Sequence, residues 1–387
     1  MALIKRSVFL LLVLAMVFVV TGCPASAPSD QKTYEEYVEG LPEGCFPVPR
    51  ECYEQALEEG QLNTFEWAEW WPEEIYEDFE KEFGIKIVRD YFANEDETIA
   101  KFRLDPEIDY DWVYTALRPA VTLREIGALS EINDEWVPNV TEYLADWALK
   151  EGAVYGDPGW KHSKPTHFSL LSYSYNTNFV DDSRVPSWAV LFEPDEKYKG
   201  KLTIVDDMKE VMTCALIYLG YDITTTDKDE LNEVRELLLN LKPSVMAFDA
   251  WPVRLVVEEE ALIAHCYGGD SLYYNRQQER IQGVLPAEGT QTAFGTNGIA
   301  KGTKHPAAAH LWLNFIWRPA NMTKIMEGIG YATVHTGVPE LLSAETRDWP
   351  TTIVTEEYLA KCQWDSPVLW EEEIAELWTE IWMDFKK

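Results

Sequence analysis

Short apolar runs alternate with amphipathic segments that end at glycine along most of this chain, and no other feature restricts its fold as much. After "LNTF", Pro72 opens a helix with Ile75, Phe79 and Phe83 at four-residue spacing, and Gly84 stops it. "IKIVRDYF" reads as a strand, "NEDETIAKFR" as a capped helix, "DYDWVY" as a second strand and "RPAVTLREIG" as a second glycine-stopped helix. Beyond the bend "GDPGWKHSKP", "HFSLLSYSYNT" is a long alternating strand, and "KLTIV" leads into "DDMKEVMTCALIYLG" as strand then helix. "EALIAHCYGG" runs a strand into a glycine turn, two helices flank Pro319, and "LWEEEIAELWTEIWMDF" is an amphipathic helix whose Trp and Ile stripe is core material. Strands alternating with helices predict an α/β fold. At 387 residues the chain exceeds the usual span of one core, so two lobes are expected.

The N-terminus carries a separate signal. "MALIKRSVFLLLVLAMVFVVTGC" has a basic start, an apolar stretch and small residues, the pattern of a secretory signal peptide over residues 1–22. Residues 23–59 then read as a polar tether or extension. Lys+Arg 33 against Asp+Glu 67 gives −34, which argues against nucleic acid as a partner and is compatible with cationic ligands. Cys45 and Cys52, in "GCFPVPREC", are close enough to close a small disulfide loop in an exported protein.

No GxSxG elbow, phosphate loop, HExxH or CxxC is present, so neither catalysis nor a metal or organic cofactor is expected. Aromatic residues and acids instead gather at element ends, in "FEWAEWWP", "IVDDMKE", "HCYGGD" and "GIGYATVH". Open α/β sheets bind ligands at such places. An organic ammonium group needs π-faces for its charge and methylenes, and carboxylates for its N–H donors. The same residues have structural readings. Trp71 suits packing beneath the helix it precedes, Asp207-x-x-Glu210 is a good capping box, and Asp270 stands where it would cap a following helix.

Four blocks carry a resemblance. "FEWAEWWPEEIYEDFEKEFGIKI", "YDWVYTALRPAVTLREIGAL", "SWAVLFEPDEKYKGKLTIVDDMKEVMTCALIYLGYD" and "HLWLNFIWRPANMTKIMEGIGYATVH" resemble, in order, the spermidine/putrescine-binding proteins of bacterial ABC importers. The likeness is collinear over about residues 60–387. It implies a two-lobed, type II periplasmic-binding-protein fold whose lobes, joined by crossing strands, close over a ligand and dock on a membrane permease. The expected lobes are 60–168 with 294–337, and 169–293 with 338–387. "VVTGC" resembles a lipobox, which makes Cys23 the lipidated first residue of an anchored, extracytoplasmic and monomeric protein.

Carried over by position, the resemblance makes Trp67 a stacking platform, Glu69 an ammonium acceptor and Trp70 a stand-in for a tyrosine. Asp207 and Glu210 match an acidic pair, Tyr267 replaces a cage tryptophan, and Asp270 matches an acid of some putrescine binders. Tyr331 matches a cleft tyrosine and Gln363 a polar contact. The chain also departs from the pattern. Ala116 and Arg118 stand where a serine and a tyrosine are usual, and Ala293, Phe294 and Gly295 replace an aromatic-x-acid stretch, leaving Phe294 as the aromatic there. The expected ligand is therefore a polyamine or related cationic amine. A zwitterionic or monocationic amine with Arg118 receiving its carboxylate, a secreted hydrolase with two cleft acids, and a surface lipoprotein that holds a protein partner are the alternatives.

Overall fold

The computed structural model describes residues 31–387 apart from 69, 155–156 and 366–371. The signal peptide, Cys23 and Glu69 therefore lie outside the described residues. Eleven described strands form one mixed sheet. They are β1 (Gln61–Trp67), β2 (Lys86–Phe92), β3 (Trp112–Ala116), β4 (Ser163–Asn176), β5 (Leu202–Val205), β6 (Val245–Asp249), β7 (Ile263–Tyr267), β8 (Ile281–Val284), β9 (Gln291–Ile299), β10 (Ala332–Thr333) and β11 (Gln363–Trp364). The main order is β2-β1-β3-β9-β4-β7-β5-β6.

β1 pairs in parallel with β2 and β3 at one end, and β5 with β6 and β7 at the other. Between them β4 and β9 run antiparallel to each other and to their outer neighbours. β4 is the link: Ser163 to Leu170 pair with β9, while Leu171 to Asn176 pair with β7 and β8. Both faces of β4 are covered, so its residues are almost all buried, as a strand shared by two layers requires.

Two main cores follow. Trp71, Trp112, Trp160, Trp312, Trp317, Phe79, Phe83 and Phe315 fill the first. Tyr173, Trp188, Leu216, Leu238 and Val234 fill the second, which the C-terminal helix Glu372–Lys386 completes with Ile374, Trp378, Ile381 and Phe385. The fold is thus α/β with two cores joined by crossing strands. Val338, Leu342 and Trp364 pack in the first core, while Thr346, Thr351, Tyr358 and Gln363 between them bond to Arg276, Gly268, Pro286 and the 221–223 loop, so residues 338–364 run along both cores.

The segment expected as a tether is built structure from Tyr34 onward. Helices Tyr34–Glu39 and Arg50–Glu59 bury Tyr37, Cys52, Tyr53 and Ala56 in the first core. Tyr37 and Tyr53 stack with centroids 4.6 Å apart, and the amides of Ala307 and Ala308 bind the Glu59 carboxylate. The apolar stripe Cys52, Tyr53, Ala56 has helical spacing, but a stripe this narrow is easily lost among acids. Cys45 and Cys52 are free thiols rather than a disulfide: the inward face of the second helix aims Cys52 Sγ at the carbonyl of Ala307, 3.7 Å away. Deleting residues 31–59 is expected to lower the melting temperature by several degrees, since buried aromatic area is lost. A tether would leave the melting curve unchanged.

Candidate functional site

The site forms where strand ends of both cores meet. β1 ends at Trp67 and the following turn places Trp70 and Trp71. Trp71 is 4% exposed and packs on Trp112 and Tyr114 with centroids 5.3 and 5.1 Å away, so it belongs to the core. Trp67 and Trp70 stay half-buried and line two different cavities of the interlobe cleft.

The larger cavity, about 990 Å3, takes Trp67, Ala116 and Arg118 from the first lobe and Asp207, Lys209, Glu210, Tyr267 and Asp365 from the second. Trp67 is braced edge-on by Phe92 at 4.7 Å. Asp207 is the N-cap of helix Met208–Leu219 and accepts from the amides of Lys209 (2.9 Å) and Glu210 (3.2 Å) while its side chain borders the cavity. The capping reading is therefore observed, and the residue also borders the cavity. The Tyr267 hydroxyl donates to Glu210 Oε1 at 3.2 Å, and Glu210 Oε2 is shut off from water without a partner. Desolvation, then repulsion from Asp207 and Asp365, pushes the Glu210 pKa up to about 8.

The smaller cavity, about 400 Å3, is walled by Trp70, Trp251, Tyr273, Tyr274 and Tyr331, with Asp270 in its floor. Asp270 lies in the first turn of helix Gly268–Gln277, whose N-cap is Tyr267, so it does not cap that helix. It is 7% exposed, Oδ2 has no partner, and burial raises its pKa to about 7 against the opposing hydrogen bond of Tyr331. Gly269 permits this: a Cβ there would lie 2.2 Å from the ring of Tyr331. Tyr331 in turn faces Trp70 at 5.4 Å, and the Trp70 indole N–H donates to the Tyr114 hydroxyl at 2.9 Å.

Two expected contacts fall elsewhere. Phe294 is 1% exposed and stacked on Trp364 at 4.2 Å, in the first core. Side chains alternate along β9, so with Ala293 facing the cavity, its neighbour must face away. Gln363 accepts from the amide of Ile223 (2.8 Å) and donates to the carbonyl of Tyr221 (2.9 Å), so both ends of its amide hold a loop. Arg118 is exposed and lines the larger cavity; its charge lowers the pKa of Glu95, which burial raises.

Sequence reading missed His167. Its ring fills the space above Gly295, where a Cβ would come within 2.1 Å of Cε1. It faces Tyr331 at 5.3 Å, and burial holds it neutral with a pKa of about 3. A histidine in an alternating strand carries no sign of this, because its partner glycine is over 120 residues away, a separation only the β4–β9 register closes. Trp251 and Tyr273, 53% and 55% exposed, were missed as well. Their signal was large aromatics, one just before a helix start in "DAWPV" and one within a helix in "SLYYN".

Comparison with known proteins gives the family and the fold. The family model of bacterial extracellular solute-binding proteins matches residues 74–353. The spermidine/putrescine-binding periplasmic protein of Escherichia coli K12 is 28% identical over 308 residues, 79% of this chain and 87% of that protein. The putrescine/cadaverine-binding protein of Pseudomonas aeruginosa is 26% identical over 305 residues, 76% of this chain and 84% of that one. Among solved structures, the spermidine/putrescine substrate-binding protein of Streptococcus pneumoniae shares the fold with a TM-score of 0.75 at 22% identity, covering 84% of this chain and 98% of that one.

The raised carboxyls have a measurable consequence. A carboxyl raised on folding stabilises the fold fully below its unfolded pKa of about 4, and that contribution fades as pH rises through the folded value. For Asp270 and Glu210 the window runs from about 4 to about 7 and about 8. The ligand-free protein is therefore expected to melt lower at pH 8.5 than at pH 5, and Asp270→Asn to flatten the dependence, as read by calorimetry.

Proposed function

The chain belongs to the bacterial extracellular solute-binding proteins, and from that premise we propose that it captures a polyamine or related small cationic amine for an ABC importer, anchored to the membrane through Cys23. Its relatives and the structures that share its fold are binding proteins rather than enzymes. One observation carries the ligand class: a buried carboxyl, Asp270, one of whose oxygens has no hydrogen-bond partner, belongs to the lining of a pocket walled by five aromatic side chains. A carboxylate kept from water needs a cation, and aromatic faces stabilise an organic one by up to about 2 kcal/mol each when desolvated. The names of the relatives, which bind putrescine, spermidine or cadaverine, support the same class.

In this reading Trp70 and Tyr331 hold the carbon chain while Asp270 receives an ammonium group. Trp67, Tyr267, Asp207 and Glu210 form the facing wall, and Glu69, which lies between the two tryptophans in sequence, is a further acceptor. The first lobe comprises residues 34–168 with 294–337, the second residues 169–293 with most of 338–387, and β4 with β9 forms the hinge. The segment between Cys23 and Tyr34 is the tether that lets the lobes reach a permease in the same membrane. The lipobox-like "VVTGC" supports that anchor.

Thermal-shift titration tests the proposal. A micromolar amine at millimolar concentration is expected to stabilise the protein by about 4 kcal/mol, and Asp270→Asn is expected to remove the shift. Absence of any shift with amines would refute the ligand class, and chemical turnover of a bound amine would refute the transport role. Cys23→Ser is expected to move the protein from the membrane fraction to the soluble one; unchanged fractionation would refute the anchor.

A further inference from the structure

The smaller cavity is assembled from two helices that belong to different halves of the molecule. Helix Gly268–Gln277 supplies Asp270, Tyr273 and Tyr274, and helix Pro319–Ile329 with the turn after it supplies Gly328, Ile329 and Tyr331. The former packs with the second half of the sheet, through Tyr274 on the cluster of Val253, Val256 and Ile281. The latter buries Met322, Ile325, Met326 and Ile329 in the first core. Arg276 joins them. Its Nη1 donates to the main-chain carbonyl of Glu327 at 2.5 Å, and its Nη2 to the Glu327 carboxylate at 3.1 Å and the Thr346 hydroxyl at 2.7 Å. Its Nε donates to the Glu345 carboxylate at 3.1 Å. The Glu327 carbonyl lies in the last turn of its helix, where carbonyls lack an intrahelical amide and the helix dipole favours a cation. The Glu327 carboxylate also accepts from the Ser343 amide at 2.5 Å, the Ser343 hydroxyl at 3.2 Å and the Thr346 hydroxyl. That segment is tied in turn to helix Gly268–Gln277, by Trp349 on Ser271 (2.9 Å) and Thr351 on the Gly268 carbonyl (3.0 Å).

We propose that Arg276 and Glu327 form a clasp between the two lobes that positions Asp270 against Tyr331 and slows the release of a bound ligand. The proposal rests on the two-lobed binding-protein reading above and assigns residues to it. Arg276 does not line the cavity. It stands six residues beyond Asp270, about 9 Å along the helix axis, and acts through the helix. At the pocket end the two helices meet backbone to backbone. A Cβ on Gly269 would lie 2.7 Å from the Ile329 carbonyl, and one on Gly330 3.1 Å from the Gly269 carbonyl. Such a contact supplies fit but little attraction, and the clasp supplies the attraction at the other end. A single half-exposed ion pair contributes little. Here one planar guanidinium serves four acceptors at once, a geometry that strengthens each bond and that a lysine cannot reproduce. Parting the lobes breaks this set together with the Gly269–Gly330 contact.

Stopped-flow tryptophan fluorescence with 1,4-diaminobutane as the probe, and small-angle scattering of the ligand-free protein, test the clasp in the full chain. Arg276→Ala is expected to raise the dissociation rate about tenfold, with association changed by less than about twofold, and to enlarge the radius of gyration. Arg276→Lys, which keeps the charge and loses the fork, is expected to fall between the two. Arg276→Ala combined with Glu327→Gln is expected to cost less than the two single effects added, because they break one set of bonds. Should Arg276→Ala fail to fold, Arg276→Lys and Glu327→Gln make the same comparison. A dissociation rate within about twofold of the unaltered protein's, even with a lowered melting temperature, would reduce Arg276 to a structural contact and overturn the clasp. A scattering curve that superimposed on that of the unaltered protein would overturn it too, and either result would leave the amine reading intact. If the unaltered protein bound no diamine, the polyamine reading would lose its support, while the scattering comparison would still decide the clasp.

Discussion

The strands β4 and β9 carry both halves of this molecule. β4 spends its first half on the first core and its second half on the other, so neither core can form its sheet without it. At roughly 3.3 Å per residue its fourteen residues span about 46 Å, the full width of the sheet's centre. Everything at the site inherits its position from this pair. Ser169 and Ala293 face the larger cavity, and their neighbours Phe168 and Phe294 face the core. The register that sets His167 above Gly295 fixes what stands behind the smaller pocket.

Upon that frame the chain places groups that cost stability. Asp270 and Glu210 each hold an oxygen away from water without a partner. Such burial is tolerated because a neutral carboxyl is far cheaper to bury than a carboxylate, and the raised pKa values express that preference. Under the proposed function, a cation bound beside Asp270 would restore the charged form of the carboxyl and offset its lost solvation.

Much of this was legible in the sequence, for reasons that differ by residue. Element types were readable because helices here begin at capping residues or prolines and end at glycines, as at Pro72 and Gly84. Trp71 could be assigned to packing and Trp67 with Trp70 to the cleft, because the three straddle a strand end and a helix start. Phe294 could not be placed, since a shift of one residue in a strand exchanges its two faces and nothing local fixes the phase. Gln363 was misread because its partners, Ile223 and Tyr221, come from a loop about 140 residues earlier. The helices before residue 60 were hidden by their acids: Arg50–Glu59 buries three side chains among four glutamates.

Net charge was the least informative quantity about the site, although it is the most conspicuous one in the composition. A chain at −34 suggests a cleft rich in free carboxylates. Three of the acids there are instead already engaged, Asp365 by Lys209, Asp206 by Lys386 and Asp207 in part by helix amides. What distinguishes Asp270 is that its described hydrogen-bond partner is the neutral hydroxyl of Tyr331, that one of its oxygens has no partner, and that aromatic side chains line the pocket it borders. Charge that is exposed acts weakly and is screened within about 10 Å. Burial raises the interaction energy of a charge several-fold over an exposed one, so one carboxyl among π-faces weighs more in the proposed reading than many solvated ones.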